Sequence, residues 1–224
     1  MITIDHISKK YGDVQALKDI SLDVPKGEIV GLIGPNGAGK TTLFRSLVTL
    51  LLPDSGTITF DGRDVVRDYR YVRRNVGYMP GNFSLYTDLT VRENLDFFAS
   101  VFQTTVEKNH DLIKDIYVML EPFAKRRAGD LSGGMKQKLA LCCALIHKPL
   151  VLVLDEPSDG VDPVGRKQIR EVLLELEQQG VTIFLNSHLL QEVELFCREV
   201  AIIQRGKVAL SGTVLELTSG SGYR

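Results

Sequence analysis

The sequence has little cysteine, no long apolar run and almost no net charge. Its three cysteines, Cys142, Cys143 and Cys197, are too few and too irregularly placed for a disulfide framework. Two of them are adjacent in an apolar, helix-like run, so buried free thiols in a reducing compartment are expected. No stretch approaches the ~18 consecutive apolar residues of a membrane-spanning helix. Apolar runs such as residues 150–154 stop after a few residues at a charge, so any work at a membrane needs a partner that supplies the spans. The opening residues, MITIDHISKKYG, contain neither an apolar signal core nor a cleavage site, and secretion is not expected. Lys and Arg (27) nearly balance Asp and Glu (28), which argues against a protein that coats DNA. There is no internal repeat and no long low-complexity segment.

What is present is ordinary for a folded globular chain: 224 residues, 44% hydrophobic and 25% charged, which excludes a disordered, collagen-like or fibrous chain. One or two domains are expected, with a sizeable core. Residues 2–7 and 20–24 alternate apolar and polar, as half-buried strands do. Residues 28–33 and 151–154 are nearly continuous in apolar side chains, the pattern of strands covered on both faces. A helix is expected from about Lys40 to Leu51, and a short strand over 57–60 after the turn Pro53-Asp54-Ser55-Gly56. From about 90 to 147 the signal is mostly helical, with a capping box at Thr90 and Glu93 and an N-cap candidate at Ser132. Beyond it, Asp162 and Pro163 open a helix that Gly180 closes, and strands are expected over 181–185, 200–203 and 207–210. This is an α/β chain with an antiparallel element near its N-terminus and a helical insertion.

Gly34-Pro35-Asn36-Gly37-Ala38-Gly39-Lys40-Thr41 matches the phosphate-binding pattern G-x-x-x-x-G-K-[ST], followed by a second hydroxyl, Thr42. A strand ends, glycines let the backbone close around an anion, and a helix N-terminus directs its free N–H groups at it. Lys40 adds a positive charge for the β- and γ-phosphates of a nucleotide, and Thr41 a hydroxyl for Mg²⁺. The apolar strand at 150–154 ends in Asp155 and Glu156. Beside a phosphate loop, Asp155 suits Mg²⁺ coordination, usually through water. Glu156, pointing differently, could orient or deprotonate an attacking water.

Asp130-Leu131-Ser132-Gly133-Gly134-Met135-Lys136-Gln137, lying between these two motifs, resembles the LSGGQ signature of ABC transporter nucleotide-binding domains, and the resemblance extends over essentially the whole chain. It implies a P-loop NTPase (RecA-like) α/β core with a mixed sheet, about 1–80 and 148–224, and a helical subdomain, about 81–147, in a single cassette. By the same resemblance Tyr11 stacks on adenine, and Asn36, Gly37, Gly39, Lys40, Thr41 and Thr42 hold ATP. Ser132, Gly133 and Gly134 contact the ATP of a second subunit. Asp162 in Gly160-Val161-Asp162-Pro163 belongs to the loop that meets that subunit, a role compatible with N-capping. His188 in Asn186-Ser187-His188 is the switch histidine near the γ-phosphate.

The chain departs from the family pattern at two places. Gly81 stands where a glutamine usually follows the strand Val76-Gly77-Tyr78-Met79-Pro80, and Asn82 is offset by one residue from that position. Met135 replaces the signature glutamine. The clusters Arg67, Arg70, Arg73, Arg74 and Lys125-Arg126-Arg127 read as solvated faces, with docking to a membrane subunit as the alternative. The tail Ser219-Gly220-Ser221-Gly222 reads as flexible.

The resemblance therefore implies an ATPase that pairs head to tail, as a homodimer, around two ATP and Mg²⁺. It would drive a separate transmembrane permease from the cytoplasmic face of the cell membrane, without nucleic acid. Segments 77–86 and 187–194 are similar to ABC-2-type or multidrug export ATPases. Two alternatives belong to other classes. A soluble ABC ATPase of ribosomes or DNA is disfavoured by the short span between Lys40 and Ser132 and by the single cassette. A small-molecule kinase would not need the signature.

Overall fold

The computed structural model describes residues 1–82, 84–188, 193–195 and 197–220. Phe83, residues 189–192, Phe196 and the end of the glycine-serine tail lie outside them. A four-stranded antiparallel sheet in the order β2-β1-β4-β5 uses β1 (Ile2–Tyr11), β2 (Val14–Val24), β4 (Ser55–Phe60) and β5 (Arg63–Asp64). A six-stranded sheet in the order β10-β9-β3-β8-β7-β6 uses β3 (Ile29–Ile33), β6 (Val76–Met79), β7 (Val151–Asp155), β8 (Thr182–Asn186), β9 (Glu199–Gln204) and β10 (Lys207–Thr213). Every pair in it is parallel except β9 with β10. The helices are α1 (Lys40–Leu47), α2 (Tyr69–Asn75), α3 (Val91–Val101), α4 (Lys114–Tyr117), α5 (Gly133–Leu145), α6 (Pro163–Gln178) and α7 (Val214–Gly220).

β7 is buried along its whole length, and its side chains divide between two cores. Val151 and Val153 join Val30, Leu32 and Phe184 against α1 and the antiparallel sheet, with Phe44 edge-on to Phe184 at 4.8 Å. Leu152 and Leu154 join Ile29, Ile183 and Leu185 against α5 and α6. The two-residue period of a strand thus accounts for the uninterrupted apolar run: both faces meet a core.

The structure corrects several expected boundaries. The first hairpin is much longer than residues 2–7 and 20–24, because left-handed bulge residues, His6 (φ 52°) and Asp19 (φ 57°), interrupt its alternation without ending it. α1 stops at Leu47 instead of Leu51. Thr49 takes the left-handed conformation (φ 64°), its N–H donates to Ser46, and the Leu50 N–H donates to the Arg45 carbonyl at 2.8 Å. This is a Schellman closure with threonine in the place usually held by glycine, so no sequence signal marks it. The middle region is less helical than its pattern suggests. Between α3 and α5 only the four-residue α4 and short 3₁₀ turns form, one containing Pro122, and the connection is tied down by side chains, as where Asn109 donates to the Ile146 carbonyl at 2.7 Å. The expected capping box at Thr90 and Glu93 is present in full. Cys142, Cys143 and Cys197 are buried free thiols whose burial pushes them above the ordinary thiol range.

His147, just past α5, stacks on Phe102 at 3.7 Å, and its Nε2–H donates to the Val76 carbonyl at 3.1 Å. Burial pushes its pKa down from 6.5 to about 4, against the opposing pull of that carbonyl. Between these values the unfolded chain binds more protons than the folded one, so His147 makes stability fall as pH drops through that window, by up to about 3 kcal/mol. Urea unfolding at pH 7 and pH 5 checks this. The acid-side loss should shrink in His147→Gln, and an unchanged loss would assign it to other groups.

Candidate active site

The parallel register sets the C-terminal ends of four strands side by side. Asp155 pairs with Asn186, Leu32 with Asn186, and Met79 with Leu154. The loops after β3, β6, β7 and β8 therefore open along one edge, where ligands of open α/β sheets bind.

The loop after β3 runs into α1 through Gly39, whose φ of 111° is a conformation open to glycine; a Cβ there would lie 2.6 Å from the Ala16 carbonyl. Gly37 (φ 78°) makes the other left-handed turn of the loop. Lys40, only 6% exposed, folds its ammonium back over the loop and donates to the carbonyls of Gly34 (2.7 Å) and Pro35 (3.2 Å). The Thr41 hydroxyl donates to Asp155 Oδ2 at 2.9 Å, although 114 residues separate them. Ser46 Oγ donates to the carbonyl of Thr42. Asn36 and Gly37 are exposed at the loop's tip. Tyr11, 46% exposed, ends β1 opposite Val14, on the hairpin whose Ala16 carbonyl abuts Gly39.

Asp155 is 4% exposed and receives a second donor, the side-chain amide of Asn186, on Oδ1. Glu156 follows in the left-handed region (φ 55°), and its N–H donates to the Asn186 carbonyl at 3.1 Å. His188 Nδ1 lies 3.3 Å from Glu156 Oε2. Tyr78, on the neighbouring β6, has its hydroxyl pushed up to about 12, first by burial and then by the charge of Asp155. Gly81 lies against the same carboxylate: a Cβ there would stand 3.3 Å from the Asp155 carbonyl and 3.5 Å from its Cγ. Asn82 is exposed.

The signature residues lie elsewhere. Ser132 N-caps α5 by accepting the Met135 N–H at 3.4 Å. Gly133 and Gly134 start that helix against Gly160 and Val161, and Gln137 donates to the Asp159 carbonyl. Asp162 N-caps α6 by accepting the Gly165 N–H at 2.8 Å. Met135, the departure from the signature, packs its side chain on the apolar core. Among the described residues, hydrogen bonds link none of Ser132, Gly133 and Gly134 to residues 34–42. The sequence-expected residues thus form two groups: Gly39, Lys40, Thr41, Asp155, Glu156 and His188 at the strand ends, and Ser132, Gly133, Gly134 and Asp162 around the starts of α5 and α6.

Asn186 escaped the sequence reading although it stands two residues before His188. Its signal was the parallel pairing of two apolar strands, which puts the residue ending one opposite the residue ending the other.

This arrangement is that of a nucleotide-hydrolysing cassette. The family model described as ABC transporter matches residues 17–159, and the chain belongs to that family. It is 40% identical over 213 residues to the Nod factor export ATP-binding protein I of Burkholderia lata, covering 94% of this chain and 70% of that one. It is also 40% identical over 223 residues to the probable multidrug ABC transporter ATP-binding protein YbhF of Escherichia coli, covering 99% of this chain but only 38% of that protein. A solved dimeric bacterial ABC transporter cassette superposes with a TM-score of 0.87 at 25% identity, over 96% of this chain and 99% of that one. The chain is an ATP-binding, ATP-hydrolysing subunit of an ABC transporter, with the P-loop fold expected from its sequence. Among its described residues no helix is long and apolar enough to cross a membrane.

Proposed function

We propose that two copies of the chain close head to tail around two ATP molecules and that the closure drives a separate membrane subunit in export. The observation that carries this reading is the separation of the two residue groups within one chain. The N-terminus of α5 has N–H groups without intrahelical partners and the positive end of a 13-residue helix, an anion site that, among the described residues, no hydrogen bond ties to its own chain's nucleotide loop. A second copy brings such a loop to it, which would make ATP the adhesive between them. The dimeric cassette of similar fold supports the pairing. In this reading the molecule has two lobes, an α/β core from about 1–80 and 148–224 and a helical lobe from about 81–147.

Within each site Lys40 exchanges the Gly34 and Pro35 carbonyls for phosphate oxygens, and the N–H groups of Asn36, Gly37 and Gly39 line the same anion. Thr42 adds a second hydroxyl, and Tyr11 stacks on the adenine. Mg²⁺ fits the donor set: the Thr41 hydroxyl and the Asp155 carboxylate are hard oxygens 2.9 Å apart. When bound it neutralises charge gathering on the β- and γ-phosphates. Glu156 orients the attacking water and takes its proton, and His188, against its Oε2, fixes that carboxylate near the γ-phosphate. Asp162 sits on the face turned to the other copy.

Lys40→Ala should weaken ATP binding, measured by calorimetry; unchanged affinity would count against the nucleotide loop. Glu156→Gln should keep ATP binding, lower turnover by about 10²-fold or more and accumulate a dimer in size-exclusion chromatography with ATP. Wild-type turnover in that variant would remove Glu156 from the chemistry.

The membrane partner and export direction are supported by the names of the relatives, a Nod factor export protein and a multidrug transporter protein. A groove of about 430 Å³ between the lobes supports a docking place; its walls include Met79, Phe98, Phe102 and Arg73. The helix bearing Arg73 also carries Arg70 and Arg74. An apolar segment of the membrane subunit bearing carboxylates complements it. Arg73→Glu should reduce co-purification with the membrane subunit while ATP affinity stays at the wild-type value. Full co-purification would place the contact elsewhere.

A further inference from the structure

We infer that Asn186 is a positioning residue of the hydrolytic site, holding the Asp155 carboxylate through its side-chain amide and the Glu156 main chain through its backbone carbonyl. The inference rests on the reading of Asp155 as the metal-binding carboxylate. Asn186 is 1% exposed, and its side-chain Nδ2–H donates to Asp155 Oδ1. The opposite oxygen, Oδ2, takes the Thr41 hydroxyl. The carboxylate is thus held at both ends, one by the nucleotide loop and one by β8, and cannot turn about its Cβ–Cγ bond without losing a buried charge-assisted hydrogen bond. On the main chain, the Asn186 carbonyl accepts the Glu156 N–H at 3.1 Å. That bond lies at the turn where Glu156 takes its left-handed conformation. One residue therefore registers the acidic pair.

Two further observations single out the side chain. In the loop after β6 the residue in contact with Asp155 is Gly81, which carries no side chain, and among the described residues no hydrogen bond joins Asn82 to Asp155. The carboxamide beside Asp155 comes from β8 instead. In addition, Asn186 Oδ1 is buried and, among the described residues, receives no donor. A buried amide that spends its N–H on Asp155 and keeps its oxygen free is poorly explained by packing alone. Its complement is an O–H donor, such as water held in the site.

The test separates positioning from packing. Asn186→Leu keeps nearly the same volume without the donor, and Asn186→Ala removes both. Each is compared with wild type and Asp155→Ala in three measurements: Mn²⁺ affinity of the ADP complex by electron paramagnetic resonance, ADP affinity in EDTA, and thermal unfolding without nucleotide. Positioning predicts that both Asn186 variants lose about 10- to 100-fold in Mn²⁺ affinity, with ADP affinity in EDTA within about 3-fold of wild type and Leu no better than Ala in Mn²⁺ binding. Wild-type Mn²⁺ affinity in Asn186→Leu, or an equal loss of metal-free ADP affinity, overturns the inference. If Asp155→Ala itself keeps wild-type Mn²⁺ affinity, the metal-site reading beneath it is what fails.

Discussion

The parallel pairing of β3, β8, β7 and β6 is the constraint on which the rest depends. Each strand contributes little chemistry along its length, but the register makes them end together, so that residues far apart in sequence meet at one edge. The pairing is held by burial on both faces: Val151 and Val153 face one core, Leu152 and Leu154 the other. A shift of one residue would exchange every side chain between the cores and would move Asp155 out of reach of Thr41 and Asn186. Packing in the two cores and geometry at the acidic pair are thus one problem.

A second consequence concerns what one chain leaves incomplete. The phosphate loop is assembled against β2, through Ala16 and Gly39, and against β7, through Thr41 and Asp155. The start of α5 is assembled against the loop that opens α6, through Gly160, Val161 and Asp159. Each assembly is internally tied, and each offers unpaired donors suited to an anion. Proposed pairing of two copies joins unlike assemblies, which makes the nucleotide a structural part of the interface as well as the substrate.

Much of this was legible in the sequence where local chemistry is unambiguous. The glycines and lysine of the phosphate loop, the buried strand ending in Asp155 and Glu156, and the caps at Thr90, Ser132 and Asp162 each follow from short-range rules. The ABC family assignment followed from the order of the motifs. What was illegible depended on tertiary context. Thr49 ends α1 without a glycine, and His6 and Asp19 bulge the first hairpin, so the boundaries there moved. The segment between α3 and α5 folds as turns held by long-range contacts such as Asn109 with Ile146. Asn186 has no motif that marks it as a partner of Asp155, because its position becomes informative only when β7 and β8 are paired.

The central claim is that each hydrolytic site draws residues 34–42 from one copy and residues 132–134 from the other. The most direct test mixes two inactive variants, Lys40→Ala and Ser132→Arg, and measures ATP hydrolysis. Head-to-tail pairing gives mixed dimers with one fully wild-type site, so activity should rise well above that of either variant alone. A mixture as inactive as its components would show that both groups serve the same chain, contradicting the account.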